Sequence, residues 1–129
     1  MAINQVDVLL VEDDVALRLV LSGVLAQTGY KVRTAADGVS ALAEIASCMP
    51  DVLVSDLNMP RMSGFELLSL VRRQFPEIPL IAMSGAFSGK KIPTGVSAYA
   101  FYEKAAHPVF LIQLVDTMTH HRRVQRQTA

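Results

Sequence analysis

Four short apolar runs divide this sequence, and a charged or hydroxyl residue ends each of them. Short apolar runs that alternate with helical patterns are typical of the buried strands of a parallel sheet. Ligands of such sheets bind just outside the carboxyl ends of the strands. We therefore expect a site at the ends of the runs 8–11, 52–55, 80–83 and 99–102, formed by Glu12, Asp13, Asp56, Ser84 and Lys104.

The segments between the runs carry helical signals. Gly29 ends the first pattern, Asp37 can cap the second, and Ser63 with Glu66 has capping-box spacing. The residues expected to face the core from these helices are Leu17, Val20, Leu21, Val24 and Leu25, then Leu42 and Ile45, then Phe65, Leu68 and Val71.

The second half of the chain is less regular. Lys31–Ala35 predicts an edge strand and residues 98–102 a fifth strand, whereas glycines and a proline within 85–97 predict a short or irregular fourth helix. A last helix starts at Pro108, a favourable first helical position. Its inward residues are expected to be Phe110, Leu111, Leu114, Val115 and Met118. The result is an α/β fold of five βα units with right-handed crossovers, whose strand order propensity leaves open.

Composition bounds the class of protein. At 129 residues and 51% hydrophobic, the chain has the size and composition of one globular domain, with a core at about 5–119 and a polar tail at 120–129. Twelve basic and twelve acidic residues balance, so no bulk charge favours nucleic acid or a membrane surface. The single Cys48, the short apolar runs and the acidic start predict a cytoplasmic protein without a secretory signal.

The strand ends predict a metal and phosphate site. Carboxylates that lie close together repel one another, so a cluster of Glu12, Asp13 and Asp56 would be stabilised by a divalent cation between them. Oxygen ligands without His or Cys favour Mg²⁺ or Mn²⁺. Together with Ser84 and Lys104, such an ion would clamp a phosphoryl group, and an Asp would be the attacking group.

These residues carry a resemblance to the receiver domain of bacterial response regulators, over essentially the whole chain. The matching motifs, in order, are residues 9–14 (LLVEDD), residues 55–64 (SDLNMPRMSG), Ser84 and Lys104. The resemblance implies a doubly wound, flavodoxin-like parallel sheet in the order 2-1-3-4-5. It also implies a stand-alone module of two-component phosphorelay signalling that catalyses no reaction beyond its own phosphorylation and dephosphorylation.

The resemblance implies a role for each position. Asp56 is similar to the phosphoacceptor, Asp13 to the direct Mg²⁺ ligand, and Glu12 to the acid that acts through water. The backbone carbonyl of Asn58 corresponds to a further Mg²⁺ ligand. Lys104 corresponds to the lysine that pairs with the phosphate, and Ser84 and Phe101 to the switch residues.

The same resemblance implies the partners. A histidine kinase or histidine phosphotransfer protein would donate phosphate from phosphohistidine, and an unidentified protein would read the signal. No direct contact with nucleic acid or membrane is expected. Two departures stand out: Ala105 follows Lys104 where the family nearly always has a proline in a cis peptide, and the segment 85–97 is broken. In the family the fourth helix belongs to the surface that partners read, so the broken segment implies unusual partner recognition.

Other readings of the same residues stay open. A degenerate receiver would keep the fold as a phosphorylation-independent interaction module. A Mg²⁺-dependent phosphatase would need a second acid at position 58, where this chain has Asn58, and an FMN protein would need hydroxyls where this chain has acids. The three histidines show no metal-ligand spacing and predict solvated or capping roles, while Tyr99 and Tyr102 predict packing.

Overall fold

The computed structural model describes residues 5–59, 62–85 and 100–128, with side chains up to residue 120. These residues form strands and helices in alternation, in the order β1 (Asp7–Val11), α1 (Val15–Gln27), β2 (Lys31–Ala35), α2 (Gly38–Ser47), β3 (Val52–Asp56), α3 (Gly64–Gln74), β4 (Leu80–Ser84), β5 (Ala100–Glu103) and α4 (Pro108–Thr128).

The five strands form one parallel sheet in the order β2-β1-β3-β4-β5, so the predicted fold class and strand order are confirmed. The order of the strands changes direction between β1 and β3. The chain goes from β1 to β2 on one side of this point, and from β3 to β4 and β5 on the other side. In open α/β sheets a ligand crevice forms at this switch point. The carboxyl ends of β1 and β3 therefore mark the place to look for a site.

Apolar residues cover both faces of the sheet. One face packs against α2 and α3 around Leu9, Leu53 and Leu68. The other packs against α1 and α4 around Leu10, Val54 and Val115. Because β1, β3 and β4 are buried on both sides, they read as continuous apolar runs, which is the pattern that predicted them.

Local signals set the helix ends where the sequence predicted. The Asp37 carboxylate caps α2 by accepting the Ser40 N–H at 2.8 Å, and the Ser63 hydroxyl caps α3 by accepting the Glu66 N–H at 3.3 Å. Gly29 follows α1 with φ of 110°, a left-handed conformation that favours glycine.

Two predicted core positions are wrong. Val20 is 55% exposed and Phe110 is 53% exposed, although both were expected to face inward. Each precedes a buried leucine, Leu21 or Leu111, by one residue and so lies about 100° away around the helix. The buried arc of α1 and of α4 is therefore narrower than the apolar pattern indicated.

Several boundaries differ from the prediction by a residue or two. β1 begins at Asp7, one residue early, and β5 ends at Glu103, one residue late. Residues 98 and 99, where the fifth strand was expected to begin, and nearly all of the segment 85–97 with its short fourth helix lie outside the described residues. The last helix starts at Pro108 as predicted and continues to Thr128 through the polar segment. In the described part of the chain, no helix is long and apolar enough to span a membrane.

Candidate functional site

Three carboxylates converge at the carboxyl ends of β1 and β3. Glu12 and Asp13 directly follow β1, and Asp56 is the last residue of β3. The parallel pairing of Val11 with Ser55 brings these strand ends side by side. Carboxylate oxygens of the three residues lie within 4.8 Å of one another.

Burial divides this carboxylate cluster. Glu12 and Asp56 are 0% and 1% exposed, whereas Asp13 is exposed. Burying a carboxylate is costly unless a cation or hydrogen bonds compensate the charge. The cluster therefore requires a source of positive charge.

Lys104 supplies part of that charge. It follows β5, two strands away from β3, and its long side chain reaches across the edge of the sheet. Its Nζ lies 2.8 Å from Glu12 Oε1 and 2.9 Å from Asp56 Oδ2. One ammonium group thus bridges both buried acids. Because the site contains three carboxylates and a single lysine, its net charge is negative when the acids are ionised.

The ionisation of the site follows from this geometry. Burial raises the pKa of Glu12 above its ordinary value of 4.5, although the hydrogen bond from Lys104 acts in the opposite direction. Burial alone would lower the pKa of Lys104, but its hydrogen bonds and charge attraction to Glu12 and Asp56 outweigh burial and raise it. Lys104 is therefore a permanent cation at neutral pH.

Asn58 and Ser84 complete the surroundings of Asp56. The Asn58 N–H donates to Asp56 Oδ1 at 3.1 Å, and the Asn58 amide Nδ2 donates to Ser84 Oγ at 3.3 Å. Ser84 is fully buried at the end of β4, and its carbonyl accepts the Lys104 N–H at 3.2 Å. The structure thus brings Ser84, Asn58 and Lys104 to one site around Asp56, while the metal-ligand role of the Asn58 backbone carbonyl stays a prediction.

Sequence reasoning missed how the first turn of α1 supports Glu12. Asp14 caps α1 by accepting the Leu17 N–H at 2.9 Å, and its own N–H donates to Glu12 Oε2 at 3.1 Å. Arg18 donates from Nη1 to the Glu12 carbonyl at 2.8 Å. The position of an arginine one turn after a cap residue was the available signal. These contacts fix Glu12 from both its side chain and its backbone.

Phe101, three residues before Lys104, and Ala105, directly after it, lie outside this network. Phe101 is half-buried and packs against the core on the α2 and α3 face. The peptide bonds among the described residues are trans, including the one between Lys104 and Ala105. The switch role of Phe101 stays a prediction.

The donor set suits a hard divalent cation. It consists of carboxylate oxygens, and the charge left over after pairing with Lys104 is negative. Mg²⁺ binds through one or two carboxylates and retains other positions for water or phosphate oxygen. Exposed Asp13 beside buried Asp56 offers such an arrangement.

A family model matches most of this chain. Residues 8–115 match the family model of the response regulator receiver domain. The chain therefore belongs to the receiver domain family of two-component systems, and it has the flavodoxin-like fold of that family.

Individual relatives differ in length from this chain. It is 34% identical over 128 residues to the nitrogen assimilation regulatory protein NtrX of Azorhizobium caulinodans, covering 94% of this chain and 28% of NtrX. It is 39% identical over 95 residues to the response regulator MprA of Mycobacterium bovis, covering 74% of this chain and 41% of MprA. The chain thus spans less than half of these curated relatives.

A solved structure matches over nearly its full length. The chemotaxis response regulator CheY4 of Vibrio cholerae superimposes with a TM-score of 0.80 at 34% identity, covering 88% of this chain and 98% of CheY4. The receiver domain of NtrX from Brucella abortus gives 0.82 at 31% identity, covering 88% and 98%.

Proposed function

We propose that this protein is a phosphoacceptor, in which Asp56 receives a phosphoryl group from a phosphohistidine of a histidine kinase or histidine phosphotransfer protein. The observation that carries the proposal is the ion pair between buried Asp56 and Lys104 inside a cluster of three carboxylates. A structural ion pair alone would not need two further acids beside it.

The transfer step uses the residues as they lie. A carboxylate oxygen of Asp56 attacks phosphorus, the P–O bond forms as the P–N bond to the donor imidazole breaks, and the released imidazole takes up a proton. The Asn58 N–H and Lys104 hold the two Asp56 oxygens at 3.1 and 2.9 Å, which orients the nucleophile. Lys104 then neutralises charge on the phosphoryl oxygens.

Glu12, Asp13 and Asp56 are the residues that would hold Mg²⁺, with the Asn58 backbone carbonyl as a further ligand. When bound, the ion supplies positive charge that the site lacks and that stabilises the phosphoryl oxygens. Arg18 and the Asp14 N–H orient Glu12 for this task through its backbone and its carboxylate.

Phosphorylation would switch a protein-binding surface. Ser84 Oγ accepts a hydrogen bond from the Asn58 side chain, and we infer that this bond breaks when the hydroxyl turns toward the phosphoryl group. Phe101, on the strand that leads to Lys104, would change its packing in response. Water attack on phosphorus, with release of inorganic phosphate and the Asp56 carboxylate, resets the switch. An unidentified protein partner reads this surface, without direct contact to nucleic acid or membrane.

Intact mass after incubation with acetyl phosphate tests the proposal. We expect one added phosphoryl group with Mg²⁺, none with EDTA, and none in Asp56→Asn. Asp37→Asn is the matched control, because asparagine caps a helix as well as aspartate does and Asp37 lies at the start of α2. A folded, Mg²⁺-loaded protein that stays unmodified would instead establish the degenerate, phosphorylation-independent module.

A further inference from the structure

The turn that carries Lys104 has an internal support that the sequence did not indicate. Residues 103–106 connect β5 to the residues before α4, and this turn contains no proline. The Ala106 N–H donates to the Glu103 carbonyl at 2.9 Å and closes the turn. Only a short backbone bridge therefore holds the turn from within.

Tyr102 ties this turn to the core. Its side chain is 2% exposed and packs among Leu111 and Val115 on the α1 and α4 face. Its hydroxyl donates to the carbonyl of Ala106 at 2.6 Å. Burial raises the pKa of Tyr102, so the phenol stays protonated and remains a donor.

The hydrogen bond from Tyr102 to Ala106 closes a segment of the chain that contains Lys104. Lys104 lies between the two bonded positions, and its N–H is tied on the other side to the Ser84 carbonyl at 3.2 Å. The backbone of Lys104 is thus held from β4 and from the core at once. Its Nζ must remain within 2.8 and 2.9 Å of two separate carboxylates, which a loose turn would not maintain.

We propose that Tyr102 is a positioning residue for Lys104, acting through its hydroxyl on the 103–106 turn. The part of this inference that concerns catalysis rests on the proposed function. The part that concerns the order of the turn does not. Tyr102 itself touches neither Asp56 nor the phosphoryl group in this scheme.

Tyr102→Phe tests the inference because it removes the hydroxyl and keeps the ring. We expect the amides of Lys104 and Ala106 to exchange hydrogen faster, whereas amides of β1 and β3 keep their rates. At saturating Mg²⁺, the rate of phosphorylation by acetyl phosphate should fall about tenfold, since a misplaced catalytic group commonly costs that much or more. Mg²⁺ binding should be retained.

Thr119→Val is the matched control. Thr119 is also fully buried, and its hydroxyl donates within α4 to the Val115 carbonyl at 2.7 Å, away from the turn. We expect this variant to keep the exchange rates at Lys104 and Ala106 and the phosphorylation rate. If phosphorylation slows equally in Tyr102→Phe and Thr119→Val, the inference is overturned, because a general loss of stability would then explain the slower rate.

The two proposals fail in different ways. If the wild type accepts no phosphoryl group, the proposed function fails, and amide exchange alone decides whether Tyr102 orders the turn. If the wild type is phosphorylated and Tyr102→Phe matches it in both rate and exchange, the positioning role is overturned while the proposed function stands.

Discussion

Lys104 Nζ forms an ion pair with Oδ2 of Asp56 at 2.9 Å and so joins the end of β5 to the end of β3. The same ammonium group contacts Glu12 at 2.8 Å, and both acids are buried. Among the residues that the structure describes, Lys104 is therefore the cation that forms ion pairs with both buried carboxylates. We expect the stability of the metal-free protein to depend on it.

We predict that Lys104→Met destabilises the metal-free protein. Removing one partner of a buried ion pair leaves uncompensated charge, and because Lys104 is partly exposed we expect about 2 kcal/mol at neutral pH. Urea denaturation in EDTA measures the change. Lys31→Met, at the start of edge strand β2, is the control and should have little effect. Equal stability of Lys104→Met and wild type would contradict the prediction.

Glu12 gives the metal-free protein a distinct pH dependence. Its pKa in the folded protein is raised above the ordinary value of 4.5, chiefly by burial, so the folded state binds this proton more tightly than the unfolded chain does. The stability from this group is fully present below the unfolded pKa and is lost as pH rises through the folded pKa.

Glu12→Gln removes this titration. In EDTA, the free energy of unfolding of the wild type should therefore fall relative to that of Glu12→Gln as pH rises from 4.5 toward neutrality. Urea midpoints across that range measure the difference. Glu66→Gln, an exposed Glu-to-Gln change on α3 away from the site, is the control variant. If the wild type instead gains stability relative to Glu12→Gln as pH rises, the ion pair with Lys104 outweighs burial.

Mg²⁺ should stabilise the fold through Asp13. A ligand that binds the folded state alone stabilises it by about 2.7 kcal/mol at 100 times its Kd. We expect Mg²⁺ to raise the melting temperature of the wild type and to have little effect on Asp13→Asn. Asp14→Asn is the control, because Asp14 caps α1 and asparagine preserves that cap. Equal loss in both variants would indicate attraction by general negative charge.

The fold was predictable because its signals are local. Strand β3 was predicted from an apolar run, β2 from the weak alternation of residues 31–35, and the start of α4 from Pro108, a favoured first helical residue. The strand order did not come from propensity and needed the family resemblance. Segment 85–97 stays a prediction apart from Gly85, since the other residues lie outside the described part of the chain.

The site was predictable as a set of residues but not as a network. Motif spacing brought Asp56, Ser84 and Lys104 to one edge of the sheet. It did not show that one lysine bridges two acids, that the Asn58 amide reaches Ser84, or that Tyr102 supports the turn. These contacts depend on how far each side chain extends across neighbouring strands, which sequence spacing does not encode.

The capping role expected for a histidine is present, since His107 Nδ1 accepts the Val109 N–H at 3.1 Å.

Gly64 allows α3 to lie directly against the backbone of the acceptor. Its N–H donates to the Leu57 carbonyl at 3.0 Å, and a Cβ added there would lie 2.0 Å from the Asp56 carbonyl oxygen and 2.5 Å from Leu57 Cα. Backbone atoms cannot yield as a flexible side chain can, so α3 or the end of β3 has to move. We predict that Gly64→Ala destabilises the protein by about 3 kcal/mol or more.

Gly38→Ala is the matched comparison for Gly64→Ala. Gly38 is likewise the buried first residue of its helix, but its added Cβ would meet the Met62 side chain, at 2.7 Å from the sulfur. A rotamer change moves the Met62 sulfur and Cγ away. The Met62 Cβ, at 2.9 Å, needs a smaller backbone shift than the contact of Gly64 with the Asp56 carbonyl oxygen, so the loss of stability should be smaller. Urea denaturation of both variants measures the contrast. If Gly64→Ala also shifts the backbone of Asp56, its phosphorylation by acetyl phosphate should slow more than that of Gly38→Ala. Equal stability and equal rates in the two variants would show that the approach of α3 to Asp56 is not critical.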